Sequence, residues 1–107
     1  DHEYLAQACF FASQAAEKAL KSALLECGIE PPHTHSLMEL VRALESEGLG
    51  ITSLETLPLR ALSRMAISSR YPLDATPPSE LFDLDETDAA IRTASAVIHA
   101  LKRLDQD

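Results

Sequence analysis

The chain has no tryptophan and only three glycines, and aromatic residues make up 5% of its 107 positions. A core with so few rings is assembled from Ala, Leu, Ile and Val, which contribute to an apolar content of 46%. Sparse glycine together with long runs of helix formers is the composition of a helical bundle. The glycines stand at positions 28, 48 and 50, each where a helical pattern stops, so there is no phosphate-cradling glycine loop. Basic residues are also few: nine Lys and Arg against seventeen Asp and Glu give a net charge of −8. Proteins that hold extended nucleic acid do so by neutralising phosphates with a basic surface, so extended DNA binding is not expected. No apolar run approaches the length of a membrane span, and no signal peptide is visible.

Two cysteines are present, Cys9 and Cys27, both in the first helical pattern. On one continuous helix they stand roughly 27 Å apart, too far for a disulfide within the chain. They read as small buried hydrophobes in a reduced, cytoplasmic protein.

Four helical patterns follow one another. Residues 4 to 27 repeat Leu5, Cys9, Ala12, Ala16, Ala19, Leu20, Ala23 and Cys27 every three or four positions, the spacing of one helix face. Gln14, Glu17, Lys18 and Lys21 form a polar stripe, with Glu17 and Lys21 in the favourable i,i+4 order. After Pro31-Pro32, Ser36 and Glu39 match a capping box, with Thr34 as a rival cap and His35 assigned to help close the same helix start. The second helix runs to about Glu47 and buries Leu37, Leu40, Val41 and Leu44. Pro58 is tolerated only in a first turn, so the third helix is expected to begin close to Thr56. It buries Leu57, Ala61, Leu62, Met65 and Ala66, carries Arg60 and Arg64 on another face, and ends at or just before Tyr71 because Pro72 follows. Residues 73 to 84 read as a loop, and the last helix, about 86 to 104, buries Ala90, Ile91, Ala94, Val97, Ile98, Leu101 and Leu104. The expected fold is all-α, an antiparallel up-and-down four-helix bundle, in a single domain over residues 1–107.

Three segments, in this order, resemble the HEPN family, the helical module named for nucleotide binding in higher eukaryotes and prokaryotes. They are Ala8-Cys9-Phe10-Phe11-Ala12-Ser13-Gln14-Ala15-Ala16-Glu17-Lys18-Ala19-Leu20-Lys21, then Thr34-His35-Ser36-Leu37, then Ser69-Arg70-Tyr71-Pro72 before a terminal helix with Asp88-Ala89 and Ala94. Family members usually have a further helix ahead of the first segment, and only its last residues could fall within this chain. Whether that helix is trimmed from this sequence or absent stays open; if it is absent, apolar surface on the first helix is exposed.

The resemblance implies a HEPN protein working beside a separate minimal nucleotidyltransferase, as in prokaryotic toxin–antitoxin pairs, acting as a homodimer and in many members as a ribonuclease. Ribonuclease members carry an Arg, four to six residues, then a His near the last helix. Arg70 has no His in that window, whereas Arg92 and His99 fit it, although Thr93 replaces the polar residue that the family places after the Arg. In that role His99 is the acid–base and Arg92 steadies phosphate charge. Whether the chain is an enzyme stays open. The alternative is a non-catalytic nucleotide-binding or helical dimerisation module, with an anion held by Arg70, Tyr71, Lys18 and Lys21. Against that stand plainer roles: Arg70 and Tyr71 closing the end of the bundle, and Lys18 and Lys21 on a solvated face. No cofactor is implied. His33 and His35 lack further ligands at metal spacing, so no metal site is expected.

Overall fold

The computed structural model describes residues 2–48, 54, 56–70 and 84–105, with the side chains of 2, 3, 65–70, 104 and 105 left aside. Among the described residues it is an all-α bundle built from α1 (His2–Glu26), α2 (Leu37–Ser46), α3 (Leu59–Arg70) and α4 (Leu84–Asp105), with Leu54 also helical. No strand occurs among the described residues.

Helix α1 is the spine. It packs against each of the other three, most extensively against α4 and next against α3. Its buried face is Ala6, Cys9, Ala12, Ser13, Ala16, Leu20 and Leu24, small at one end and large at the other. Small side chains let neighbouring backbones come close, and the leucines fill the wider end. Onto this face α2 delivers Leu37, Leu40, Val41 and Leu44, α3 delivers Leu59 and Leu62, and α4 delivers Ala90, Ala94, Val97 and Leu101. Leu54, ahead of α3, joins the same core. Cys9, in the third turn of α1, meets Thr87 in the first turn of α4, so those two regions share one end of the bundle.

The helix ends are set by local chemistry. Gly28 has φ +79°, and its N–H donates to Leu25 O at 2.9 Å while Ile29 N–H donates to Leu24 O at 3.0 Å. These two bonds make a Schellman motif, which needs the left-handed conformation that glycine adopts without penalty. At the start of α2, Ser36 Oγ accepts from Glu39 N–H at 3.4 Å, and Thr34 Oγ1 accepts from Ser36 N–H at 3.0 Å. Ser36 is therefore the cap of α2, and Thr34 holds the backbone of that capping residue rather than capping the helix itself.

A third bond at this corner comes from another helix: Ser63 Oγ of α3 accepts from Leu37 N–H at 3.1 Å. One of the orphan amides of α2 is thus satisfied across an interhelical contact.

Several expectations are corrected. Cys27 is exposed rather than buried, because it follows the last turn of α1 and sits beside the Gly28 stop. Ile91 is 46% exposed, since Ala90, Thr93, Ala94 and Val97 already carry the inward face of α4. His35 does not cap α2; its ring reaches Glu17 on α1 instead. Helix α3 begins at Leu59, with Pro58 O accepting from Leu62 N–H at 3.2 Å as the first intrahelical bond. Helix α4 begins at Leu84, two residues before the expected start. Met65, Ala66 and Leu104 fall on side chains outside the described set, as does most of the loop at 73 to 84.

Urea unfolding should rank three substitutions. Leu20→Ala, at the centre of the core, is expected to cost about 2–5 kcal/mol. Gly28→Ala has open space for its methyl but the wrong backbone, so the expected cost is about 1–2 kcal/mol. Ser63→Ala should lose about 1 kcal/mol through the orphaned Leu37 amide. A Gly28→Ala loss as large as that of Leu20→Ala would contradict this division between packing and backbone strain.

Candidate functional site on the last helix

Helix α4 presents two rows side by side to the outside. One is apolar, with Leu84 at 72% and Ile91 at 46% exposure, one heptad apart. The other is polar: Asp88, Arg92, Ser95 and His99 are all exposed, at successive spacings of four, three and four. Those spacings keep the four side chains on one face. Arg92 and His99 stand two turns apart, about 10.5 Å along the axis, with Ser95 between them. Long Arg and His side chains could reach one phosphate lying over Ser95.

Arg92 is paired with Asp88 one turn earlier, an i,i+4 ion pair in which both side chains remain largely in water. The pair holds the guanidinium toward the N-terminal end of α4, away from His99, and exposed pairs of this kind are worth little, about 0–1 kcal/mol. A phosphate dianion could therefore compete for Arg92. Thr93, the residue after it, is buried and donates its hydroxyl to Ala89 O at 2.8 Å. Thr93 accordingly serves the helix rather than the polar row.

Beside the apolar row lies a shallow depression of about 320 Å³ lined by Leu84, Asp85, Thr87, Asp88 and Ile91. Thr87, one of its lining residues, also meets the buried Cys9, whose thiol lies 3.5 Å from the Thr87 hydroxyl. Burial pushes the Cys9 thiol up from its ordinary titration; the Thr87 bond acts against this, and Glu86 reinforces it. A thiol so held stays protonated at neutral pH and is a poor nucleophile.

Of the expected anion-binding residues, the two lysines are described, both on α1. Lys18 is exposed on α1. Lys21 is half-buried and donates to Glu17 Oε2 at 3.0 Å. Glu17, its side chain only 15% exposed, also meets His35 Nδ1 at 3.1 and 3.2 Å from its two oxygens. The polar stripe of α1 is thus partly a clamp on the connector before α2. Arg70 is the last residue of α3, but its side chain and the whole of Tyr71 lie outside the described residues. Among the described residues no group of three or more His, Cys, Asp or Glu could hold a metal ion.

Helix α1 has an outward apolar row of its own. Tyr4, Phe11 and Leu25 are 61–70% exposed and fall on one heptad line with Lys18 between them. No described helix is long and apolar enough to cross a membrane.

A family model described as HEPN domain matches residues 1–104, nearly the whole chain. Neither a curated protein nor a solved structure matches.

Thiol labelling tests the contrast between the two cysteines. Native protein should show one fast-reacting thiol that Cys27→Ser removes, with Cys9 reacting only on unfolding or at strongly alkaline pH. Two fast thiols in the native protein would contradict the buried, raised Cys9.

Proposed function

The chain belongs to the HEPN family, and from that premise we propose that it is the HEPN member of a pair with a separate minimal nucleotidyltransferase, as in prokaryotic toxin–antitoxin systems. In this reading it is a cytoplasmic homodimer that cuts RNA, and Arg92 and His99 carry the chemistry. The observation that supports it is the α4 surface, where Arg92 and His99 stand exposed on one face beside the apolar pair Leu84 and Ile91.

An exposed Arg and His in bulk water make a weak catalyst, because water screens the charges that should steady the transition state. Pairing two copies along Leu84 and Ile91 would bring two polar rows together and exclude water between them. One His99 would then take the proton from a ribose 2′-hydroxyl as its oxygen attacks phosphorus. The other would give a proton to the departing 5′-oxygen. Arg92, exchanging Asp88 for phosphate, would balance the charge that builds on the non-bridging oxygens.

The second reading is a non-catalytic module that holds a nucleotide at Arg70, Tyr71, Lys18 and Lys21, or that only dimerises. The Arg92–Asp88 pair favours it, since the guanidinium already has an anion.

Incubation of purified protein with RNA, beside the double substitution Arg92→Ala, His99→Ala, separates the two. The ribonuclease reading predicts cleavage that falls at least about a hundredfold in the double variant, the usual scale for losing an acid–base group. Equal activity, or none in either protein, removes it. Titration of ATP and GTP against wild type and Arg70→Ala then tests the nucleotide reading, which requires saturable binding weakened by the substitution.

A further inference from the structure

A second concave surface lies between the start of α2 and the start of α3, away from the polar row of α4. It has a volume of about 390 Å³ and is lined by Met38 from α2 and by Leu57, Pro58, Leu59, Arg60, Ala61 and Arg64 from around α3. The geometry points to this cleft as a binding site for a small amphiphilic anion, a phosphate or carboxylate joined to an apolar body about the size of one ring.

Charge is the first argument. In a chain of net charge −8, Arg60 and Arg64 are both exposed at the edge of one cleft, and neither makes an ion pair among the described residues. Their i,i+4 spacing puts the two side chains on one face about 6 Å apart at Cβ. Two guanidinium groups so placed match the two or three oxygens of one carboxylate or phosphate group.

The walls are also fixed in advance. Leu37 and Ser63 are tied across α2 and α3 by a 3.1 Å hydrogen bond, and their chain neighbours Met38 and Arg64 line opposite sides of the cleft. Leu59 and Leu62 are each 1% exposed, so the register of α3 is locked into the core while Arg60 and Arg64 face out. A preformed site avoids the ordering cost that weakens flexible ones.

Size and polarity define the ligand. Met38, Leu57 and Pro58 give the cleft an apolar side, and Ala61 keeps it open where a larger residue would fill it. The volume is at the small end of ligand pockets, which span about 300–1,000 Å³. Among the described residues the lining is one residue of α2, Leu57 and Pro58 ahead of α3, and Leu59, Arg60, Ala61 and Arg64 at its start, a compact patch that suits a small ligand. A charged head between the arginines with an apolar body against Met38 and Leu57 uses every wall.

Amide-resolved NMR titration with phenyl phosphate, benzoate and inorganic phosphate tests the site. Phenyl phosphate or benzoate should shift the Met38, Arg60, Ala61 and Arg64 amides saturably. The Arg60→Gln, Arg64→Gln variant should bind at least tenfold more weakly while keeping wild-type helicity. Inorganic phosphate, which leaves the apolar wall unused, should bind more weakly than phenyl phosphate, and Met38→Ser should narrow that gap. Non-saturable shifts, shifts centred elsewhere, equal affinity in the double variant, or phosphate binding as tightly as phenyl phosphate would each overturn the assignment. Better binding of benzoate than phenyl phosphate would support the site with a carboxylate as its head group.

Discussion

Everything in this bundle depends on the inward face of α1. Each of the other helices packs on it, and its run of Ala6, Cys9, Ala12, Ser13 and Ala16 ahead of Leu20 and Leu24 sets how close each can come. A fully buried Leu contributes about 1.5–3 kcal/mol by leaving water. With no tryptophan and little aromatic area, the core has few larger contributors, so close approach along the small-residue part of α1 matters as much as leucine burial. The Cys9–Thr87 contact belongs to this close approach: a sulfhydryl and a methyl-bearing hydroxyl meet where larger side chains would hold α4 away.

That inward commitment decides what is left outside. Ala90, Ala94, Val97 and Leu101 turn toward α1, and the helix periodicity then puts Arg92, Ser95 and His99 in water with Leu84 and Ile91 beside them. The polar row of α4 and the cleft at Arg60 and Arg64 are both consequences of core packing, one on each of two helices whose buried leucines or alanines fix the rotation about the axis. They differ in how finished they are. The cleft has walls from two helices tied by the Ser63–Leu37 bond, whereas the α4 row lies on a single helix.

Much of this was legible in the sequence wherever the signal is periodic or local. The α2 stripe Leu37, Leu40, Val41, Leu44 is buried position for position, and the Ser36 cap, the Gly28 stop and the Glu17–Lys21 pair are each found. These depend on residues within one turn of each other. Periodicity alone places Ile91 in the core, because an apolar residue beside a stripe looks the same whether it widens the core or faces outward, and only packing of α4 on α1 distinguishes the two. Cys27 failed for a related reason: the periodic pattern runs one residue beyond the end of the helix, which the Gly28 motif had already set. His35 to Glu17 and Ser63 to Leu37 join residues 18 and 26 positions apart, and no short-range pattern encodes them. Arg60 and Arg64 were visible as a shared face, but the cleft beside them exists only once α2 arrives. The Asp88–Arg92 pair could have been read from its i,i+4 spacing, the same rule that gave Glu17 and Lys21.

The proposed ribonuclease requires a second copy of the chain to complete the exposed face of α4. Sedimentation equilibrium at micromolar concentration, on wild type and on Ile91→Glu, tests it most directly, because Ile91 is peripheral to the core and its replacement should leave the helices intact. The account predicts a wild-type dimer and an Ile91→Glu monomer of unchanged helicity. A monomeric wild type, or a dimer indifferent to Ile91→Glu, would contradict it.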